Sequence, residues 1–398
     1  MKFAHIADCH VGGWRDECMR VLGEESFVWT IKKCIEESVD FVLCCGDLLN
    51  TAIPPVESLK IVFESLKLLK DKNIPFYFIA GSHDCSSSGK SFLEVIESAG
   101  LGVNVMRGSF VESGKLALNP VKDVKTGVSL VGISGRRAGL ESELFELLER
   151  PALETISGSK IFLFHTTIAE LKPKGLEKVS GVPLSLFPKQ FQYYAGGHVH
   201  TRHSSGFDSW NIVYPGPLFP NSFSELEDLK HGSFVIVDDW VPRIVVVPSR
   251  KVVSILVDVS GLLPLEVSEK ISRSDVIVDG AIVLLRIHGR LKQGRASQVD
   301  MQIILSFFEN RGAFHVLRNT SGLEGEEISE VRVPTGSAED IEERIVVETV
   351  KNTIPHEGSI ARNLLKSLIL ERGEGETVTT FEKRVENEVD NVLKEVVK

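Results

Sequence analysis

No stretch of the chain approaches the roughly 20 consecutive apolar residues that span a bilayer, so no membrane association is expected. The opening MKFAHIADCH breaks its short apolar run with polar side chains and carries no leader-like pattern. The expected location is the cytoplasm. Six cysteines (Cys9, Cys18, Cys34, Cys44, Cys45 and Cys85) fall in the first quarter, and no two of them stand at C-x-x-C spacing. That argues against a zinc knuckle and an extracellular disulfide framework, and leaves reduced, buried thiols. A basic surplus is also missing: Lys and Arg number 45 against 55 Asp and Glu, a formal net charge of -10. Sequence-independent nucleic-acid binders usually present a basic surface. Contact with a polyanion would therefore rest on a local basic face or on bound cations. There is no internal repeat and no long low-complexity tract. What is present is an ordinary globular composition over 398 residues, 42% hydrophobic and 25% charged, enough for a large core and a further domain.

Residues 1–245 alternate short apolar runs with amphipathic stretches. Strands are predicted at Lys2–Ala7, Phe41–Cys45, Phe76–Ala80, Val128–Ile133, Ile161–Phe164, Tyr193–Ala195, Ile212–Tyr214 and Phe234–Val237. Helical spacing runs through Ser26–Val39, Val56–Leu69 and Phe92–Ala99. This predicts a layered α/β domain. Residues 246–332 read as a small β-α-β-α-β unit, with strands at Val252–Val259, Ala281–His288 and Ala313–Arg318. Its helices are expected at Leu265–Ile271 and Val299–Phe308. Residues 333–398 read as a linker, VPTGSA, followed by helical stretches at Glu339–Val350, Ile360–Leu370 and Thr380–Val397. The last places Phe381, Val385, Val389, Val392 and Val396 on one helical face.

Five segments share one layout, an apolar strand followed at once by metal-capable side chains. FAHIA leads to Asp8 and His10, FVLCC to Gly46 and Asp47, and FYFIA to Ser82, His83 and Asp84. IFLF leads to His165, and YYAGG to His198 and His200. In open α/β sheets the loops beyond the strands' carboxyl ends converge on one crevice. Taken singly, an Asp-x-His pair is more often a surface turn, Gly-Asp an ordinary turn signal, and a strand-end histidine a satisfied one. Five in series point to a shared metal site. Mixed carboxylate and imidazole ligands suit manganese, iron or zinc better than calcium or magnesium. Two such ions about 3.5–4 Å apart would share a hydroxide and clamp the attacking and leaving oxygens of a phosphoryl displacement.

The order D-x-H, G-D, G-x-H-D, H, G-H-x-H resembles the calcineurin-like metallophosphoesterases. The opening KFAHIADCHVG and the Tyr214-Pro215-Gly216 after the last motif are similar to one branch, the SbcD-type DNA repair exonucleases of the meiotic-recombination-eleven family. The close likeness covers about residues 1–220. It implies a layered β-sandwich flanked by helices, with a small α/β capping domain and a helical tail. It also implies a metal-dependent DNA nuclease of double-strand-break repair, working with manganese. Asp8, His10 and His200 would hold one ion and Asp47 would bridge the pair. His165 and His198 would hold the second ion, with Ser82 contributing. His83 would contact the scissile phosphate or protonate the leaving oxygen, and Asp84 would orient its neighbours. Two positions depart from the family pattern. Ser82 replaces an asparagine and offers a shorter, poorer ligand. Asn50 replaces a histidine associated with exonuclease action. These departures set a weakened, scaffolding member of the same family beside the nuclease reading. A phosphodiesterase for small substrates is the other alternative.

Of the basic residues, Arg136 and Arg137 read as solvated surface unless they meet phosphates. Arg286, Arg290, Lys292 and Arg295 cluster in RIHGRLKQGR. The resemblance makes Arg290 and Arg295 candidates for DNA contact, because the capping domain flanks the cleft in that family. It also implies a homodimer, and docking of the C-terminal helices on an SbcC-type ABC-class ATPase with a long coiled coil.

Overall fold

The computed structural model describes residues 1–86, 90–172, 181–207, 210–325 and 378–396, with positions 360, 363, 364, 367, 370 and 376 between the last two stretches. The expected linker at 333–338, the stretch Glu339–Val350 and most of Ile360–Leu370 lie outside the described residues.

The chain begins with β1 (Lys2–Ile6), α1 (Glu17–Glu36), β2 (Phe41–Cys45), α2 (Val56–Asp71), β3 (Phe76–Ile79), α3 (Phe92–Ser98) and β4 (Val103–Asn104). A hairpin-like pair, β5 (Gly108–Phe110) and β6 (Leu116–Leu118), precedes β7 (Val121–Lys122) and β8 (Ser129–Ile133). Then come α4 (Glu141–Leu147), α5 (Arg150–Glu154), β9 (Lys160–His165), β10 (Tyr193–Gly197), β11 (His203–Phe207) and β12 (Trp210–Tyr214). They are followed by α6 (Phe223–Leu229), β13 (Ser233–Asp238) and β14 (Val241–Val246). The strands form two six-stranded sheets, in the orders β14-β13-β1-β2-β3-β4 and β11-β12-β10-β9-β8-β7. Strands β1 to β4 run parallel in the first, as do β8, β9, β10 and β12 in the second, with antiparallel strands at the margins.

Strand alternation divides the side chains among three cores. Phe3 of β1 and Ala7 just beyond it join Phe41, Leu43, Ile161 and Leu163 between the sheets, whereas Ala4 and Ile6 pack with Phe27, Ile31, Val62 and Leu66 of α1 and α2. On β9, Phe162 and Phe164 face the other way, onto Phe145 of α4 and Leu153 of α5. The layers are thus helix, sheet, sheet, helix. Central strands buried on both faces read as continuous apolar runs, which is why FVLCC and IFLF stand out in the sequence.

Helix α1 starts nine residues before the expected Ser26. Asp16 caps it, its carboxylate accepting from Met19 N at 3.1 Å. Its first turns bury Met19 and Leu22 in a cluster with Phe219, Leu226, Ile282 and Leu284 instead of the sheet core. The apolar stripe therefore changes face along the helix and blurs the period. Strand β14 gave no signal of its own: it is an edge strand, where Pro242 is tolerated.

Beyond it lie β15 (Val252–Asp258), α7 (Pro264–Ser272), β16 (Ile282–Arg290), α8 (Met301–Asn310) and β17 (His315–Glu324). Element by element this is the expected β-α-β-α-β order, with a three-stranded sheet ordered β15-β16-β17. One compact unit comprises residues 1–260, 265–289 and 299–323; a second comprises 261–264, 290–298 and 324–398. The C-terminal helix Val378–Val396 belongs to the second unit, and none of its described side chains is buried. No helix among the described residues is long and apolar enough to cross a membrane.

Candidate metal centre

Every segment singled out by the strand-then-ligand layout ends at one place. β1 leads to Asp8 and His10, β2 to Asp47, β3 to the turn at residues 81–84, β9 ends on His165, and β10 leads to His198 and His200. Because the strands are parallel within each sheet, their carboxyl ends share an edge, and the two sheets contribute from opposite sides. The backbone there is bent into the left-handed region at Asp8 (φ 51), His10 (φ 43), Asp47 (φ 52) and His198 (φ 84). Such residues cost on the order of 1–3 kcal/mol each and persist where the surroundings over-determine them. A Cβ on Gly46 would collide with the His165 ring, and one on Gly197 with the Cys45 carbonyl. Only glycine lets the sheets meet this closely.

Asp8 and Asp47 are 0% and 2% exposed. Among the described residues their only ion-pair partners are histidines. His10 Nε2 lies 3.2 Å from His200 Nε2, and Asp8 Oδ1 is 3.8 Å from His200 Nε2. Asp47 Oδ2 is 3.2 Å from His165 Nε2 and 3.8 Å from His10 Nε2. Three overlapping donor groups result: Asp8, His10 and His200; Asp8, Asp47 and His165; and His10, Asp47 and His83. Within each, the ligand atoms lie within 4.8 Å of one another. His198 donates its backbone N–H to both oxygens of Asp8, at 2.9 and 3.1 Å, and sets its ring 5.2 Å from that of His165.

Tautomers follow from the carbonyls nearby, which can only accept. His165 Nδ1 donates to Cys45 O at 2.8 Å, so its Nε2 faces Asp47. At 3.2 Å that pair is an ion-pair contact, and Nε2 has no hydrogen-bond partner among the described residues. The buried His10 Nδ1 is likewise unsatisfied. Burial pushes His10 down to about 3 and His198 to about 4, so both rings are neutral and able to ligate. Burial acts the same way on His165 and His200, but Asp47 overrides it at His165, raised to about 10. At His200, Glu225 and then Asp8 override it, and the ring is raised to about 9. At Asp47 burial is outweighed by His165 and His10, which hold the carboxyl below the usual carboxylate range. Buried carboxylates, orphaned ring nitrogens and a mixed oxygen and nitrogen donor set fit divalent cations.

The remaining predicted residues surround these donors. Asp84, 0% exposed, accepts from Gly81 N (2.8 Å), Leu49 N (2.9 Å) and Leu48 N (3.3 Å), tying the loop after β2 to the turn after β3. His83 is exposed, and its Nδ1 donates to the backbone carbonyl of Asn50 at 2.8 Å. The Asn50 side chain instead accepts from Asn221 Nδ2 at 3.2 Å. Ser82 lines a cavity of about 580 Å³ beside the centre, with Arg136 and Arg137 on its wall. Arg286 is engaged elsewhere: it pairs with Glu227 of α6 at 2.5 Å and stacks over Phe223. Arg290 and Arg295 are exposed and lie in the second compact unit.

Sequence reasoning missed Glu225. Its carboxylate accepts from His200 Nδ1 at 3.0 Å and from Asn221 N at 2.8 Å, fixing Nε2 of His200 toward the donors. It rides on α6, whose cap Ser222 accepts from Glu225 N at 3.2 Å. The S-x-x-E spacing of a capping box was the available signal.

A family model described as calcineurin-like phosphoesterase matches residues 1–202. Among curated proteins, one named DNA double-strand break repair protein Mre11 from Archaeoglobus fulgidus is 29% identical over 67% of this chain and 63% of its own length. Proteins of the same name from Methanococcus maripaludis and Sulfurisphaera tokodaii are 34% and 30% identical. The matches cover 58% and 53% of this chain, and 60% and 52% of the relatives. The chain thus spans less than two thirds of the relatives it matches.

Proposed function

The chain belongs to the calcineurin-like phosphoesterase family, and from that premise we propose that it is a metal-dependent DNA nuclease subunit acting in double-strand-break repair. One observation carries the reading. Two buried carboxylates, Asp8 and Asp47, meet the rings of three histidines, His10, His165 and His200, from both sheets, and among the described residues only imidazoles balance their charge. The name shared by the relatives supplies the substrate class.

In this reading Asp8, His10 and His200 hold one ion, Asp47 bridges, and His165 and His198 hold a second with a contribution from Ser82. Manganese suits these donors. Bound ions would supply a nucleophile from water at neutral pH and offset phosphate charge. The protein's own groups do the rest. Asp84 fixes the two ligand loops relative to each other through three backbone N–H groups. Glu225 fixes the tautomer of His200, as partners of ligating imidazoles commonly do. His83, steadied through Nδ1, would use Nε2 to stabilise the scissile phosphate or give a proton to the leaving oxygen. Its support is a backbone carbonyl, which any residue at position 50 would supply, so Asn50 does not remove it.

The weakened, scaffolding alternative is favoured by Ser82, whose hydroxyl is a poorer ligand than an amide oxygen. Both readings keep the assembly: a homodimer, for which Ile53 (81% exposed) and Val56 (74%) offer apolar surface, and an SbcC-type ATPase docked on the C-terminal helix. The place of action would be the cytoplasm. The test compares manganese-dependent cleavage of duplex and single-stranded DNA with that of a chromogenic small phosphodiester, using Asp47→Asn and His83→Gln as controls. DNA cleavage lost in both variants is expected. Turnover of the small diester alone would replace the proposal with a small-substrate enzyme, and silence on all substrates would leave the scaffold.

A further inference from the structure

A second donor cluster stands apart from the phosphoesterase centre. Asp16 caps α1, Cys18 is the second residue of that helix, and His315 opens β17. Their ligand atoms, a carboxylate oxygen, a thiol sulfur and a ring nitrogen, lie within 4.8 Å of one another. All three belong to the same compact unit. His315 Nε2 and Asp16 Oδ2 are 2.9 Å apart, a little under the about 3.3 Å edge of a tetrahedron with metal–ligand bonds of about 2.0 Å. Cys18 is the one exposed cysteine among the described residues.

Independent packing holds these donors in register. Directly behind them, Met19 and Leu22 of α1 share a hydrophobic cluster with Phe314 and Leu317 at the start of β17, and Trp14 packs against the same cluster. The backbones that carry the three side chains are therefore held together by apolar contact, with or without an ion.

We propose that Asp16, Cys18 and His315 form a mononuclear site for a zinc-like divalent cation, which staples the start of α1 to β17. A thiolate, an imidazole and a carboxylate suit zinc or cobalt and disfavour calcium and magnesium. The phosphoesterase centre has no sulfur among its donors, so the two sites sort metals by chemistry: manganese to oxygen and nitrogen, zinc to the thiolate. The staple lies six residues after His10, at the far end of the loop that leaves the phosphoesterase centre. It would steady that loop without touching substrate.

The experiment uses the full chain loaded with manganese. Cobalt is titrated in and the thiolate-to-cobalt charge-transfer band is followed in wild type, Cys18→Ser and Cys85→Ser. The band should appear in wild type and Cys85→Ser and vanish in Cys18→Ser, with manganese-dependent cleavage unchanged in all three. In parallel, zinc at about a hundredfold over its Kd should slow alkylation of Cys18 about a hundredfold, because only the unliganded thiol reacts. His315→Gln should abolish that protection. A band that survives Cys18→Ser, or alkylation indifferent to zinc, would overturn the proposal and leave Asp16 and His315 as an ordinary surface ion pair.

Discussion

The candidate metal centre is built from a few side chains whose roles divide by which nitrogen they present. His165 and His200 each use Nδ1 for orientation, against a carbonyl and a carboxylate, and present Nε2 to the shared space. Glu225 is therefore as much part of the centre as a ligand is. Replacing it by alanine should weaken manganese binding by about 10–100-fold. Glu225→Gln, which keeps an accepting oxygen, should lose less. Calorimetric titration of manganese into both variants checks this, and an unchanged Kd in Glu225→Ala would remove Glu225 from the site. Asp8 and Asp47 were legible in sequence because each follows a short, predominantly apolar strand. Glu225 was not, because its partner lies 25 residues earlier and its own helix is only seven residues long.

At the scale of elements, the strand ends do the positioning, and they tolerate no added atoms. Gly46 sits at φ 86 with the His165 ring where a Cβ would go. Gly46→Ala is expected to cost at least about 1–3 kcal/mol from backbone strain alone, and more from the collision. Chemical denaturation should report a clear loss of stability, together with lost metal binding. A variant with wild-type stability would mean the sheets can separate at this end without consequence. The helices are less demanding, and α1 illustrates why boundaries escape the sequence. Its first turns serve one cluster and its later turns another, so no single stripe runs its length.

Across the whole molecule, the two sheets are joined by apolar packing and by buried polar links, one of which lies away from the candidate centre's donors. His5 of β1 reaches across to Tyr193 (3.0 Å) and the Gly196 carbonyl (3.2 Å) of the opposite sheet, and burial pushes it down to about 3. A histidine near 6.5 when unfolded and near 3 when folded binds its proton more readily in the unfolded chain. Its contribution is thus complete above about pH 6.5 and lost as pH falls toward 3, at up to roughly 1.4 kcal/mol per pH unit. Denaturation of metal-free protein between pH 7 and pH 4 should show this slope, and His5→Gln should flatten it; equal slopes would assign acid sensitivity to other groups. The tail makes a separate prediction. The first compact unit ends at residue 323, so deleting residues after Val333 should leave manganese binding intact while abolishing co-purification with the proposed SbcC-type ATPase. Retained co-purification would move the docking surface elsewhere.

The local pattern was sufficient to locate the candidate centre. Parallel strands buried on both faces are largely apolar along their length, so the polar residues that end each run stand out, and five such endings in order point to a shared metal site. Which groups support that centre was decided only in three dimensions. Asn50 acts through its backbone carbonyl, Glu225 through a capping helix, and Asp84 through amides from two loops. The pairing of Asn50 with His83, of Glu225 with His200 and of Asp84 with the loop after β2 does not follow from local sequence, because these hydrogen-bond partners are chosen by proximity after the chain has packed.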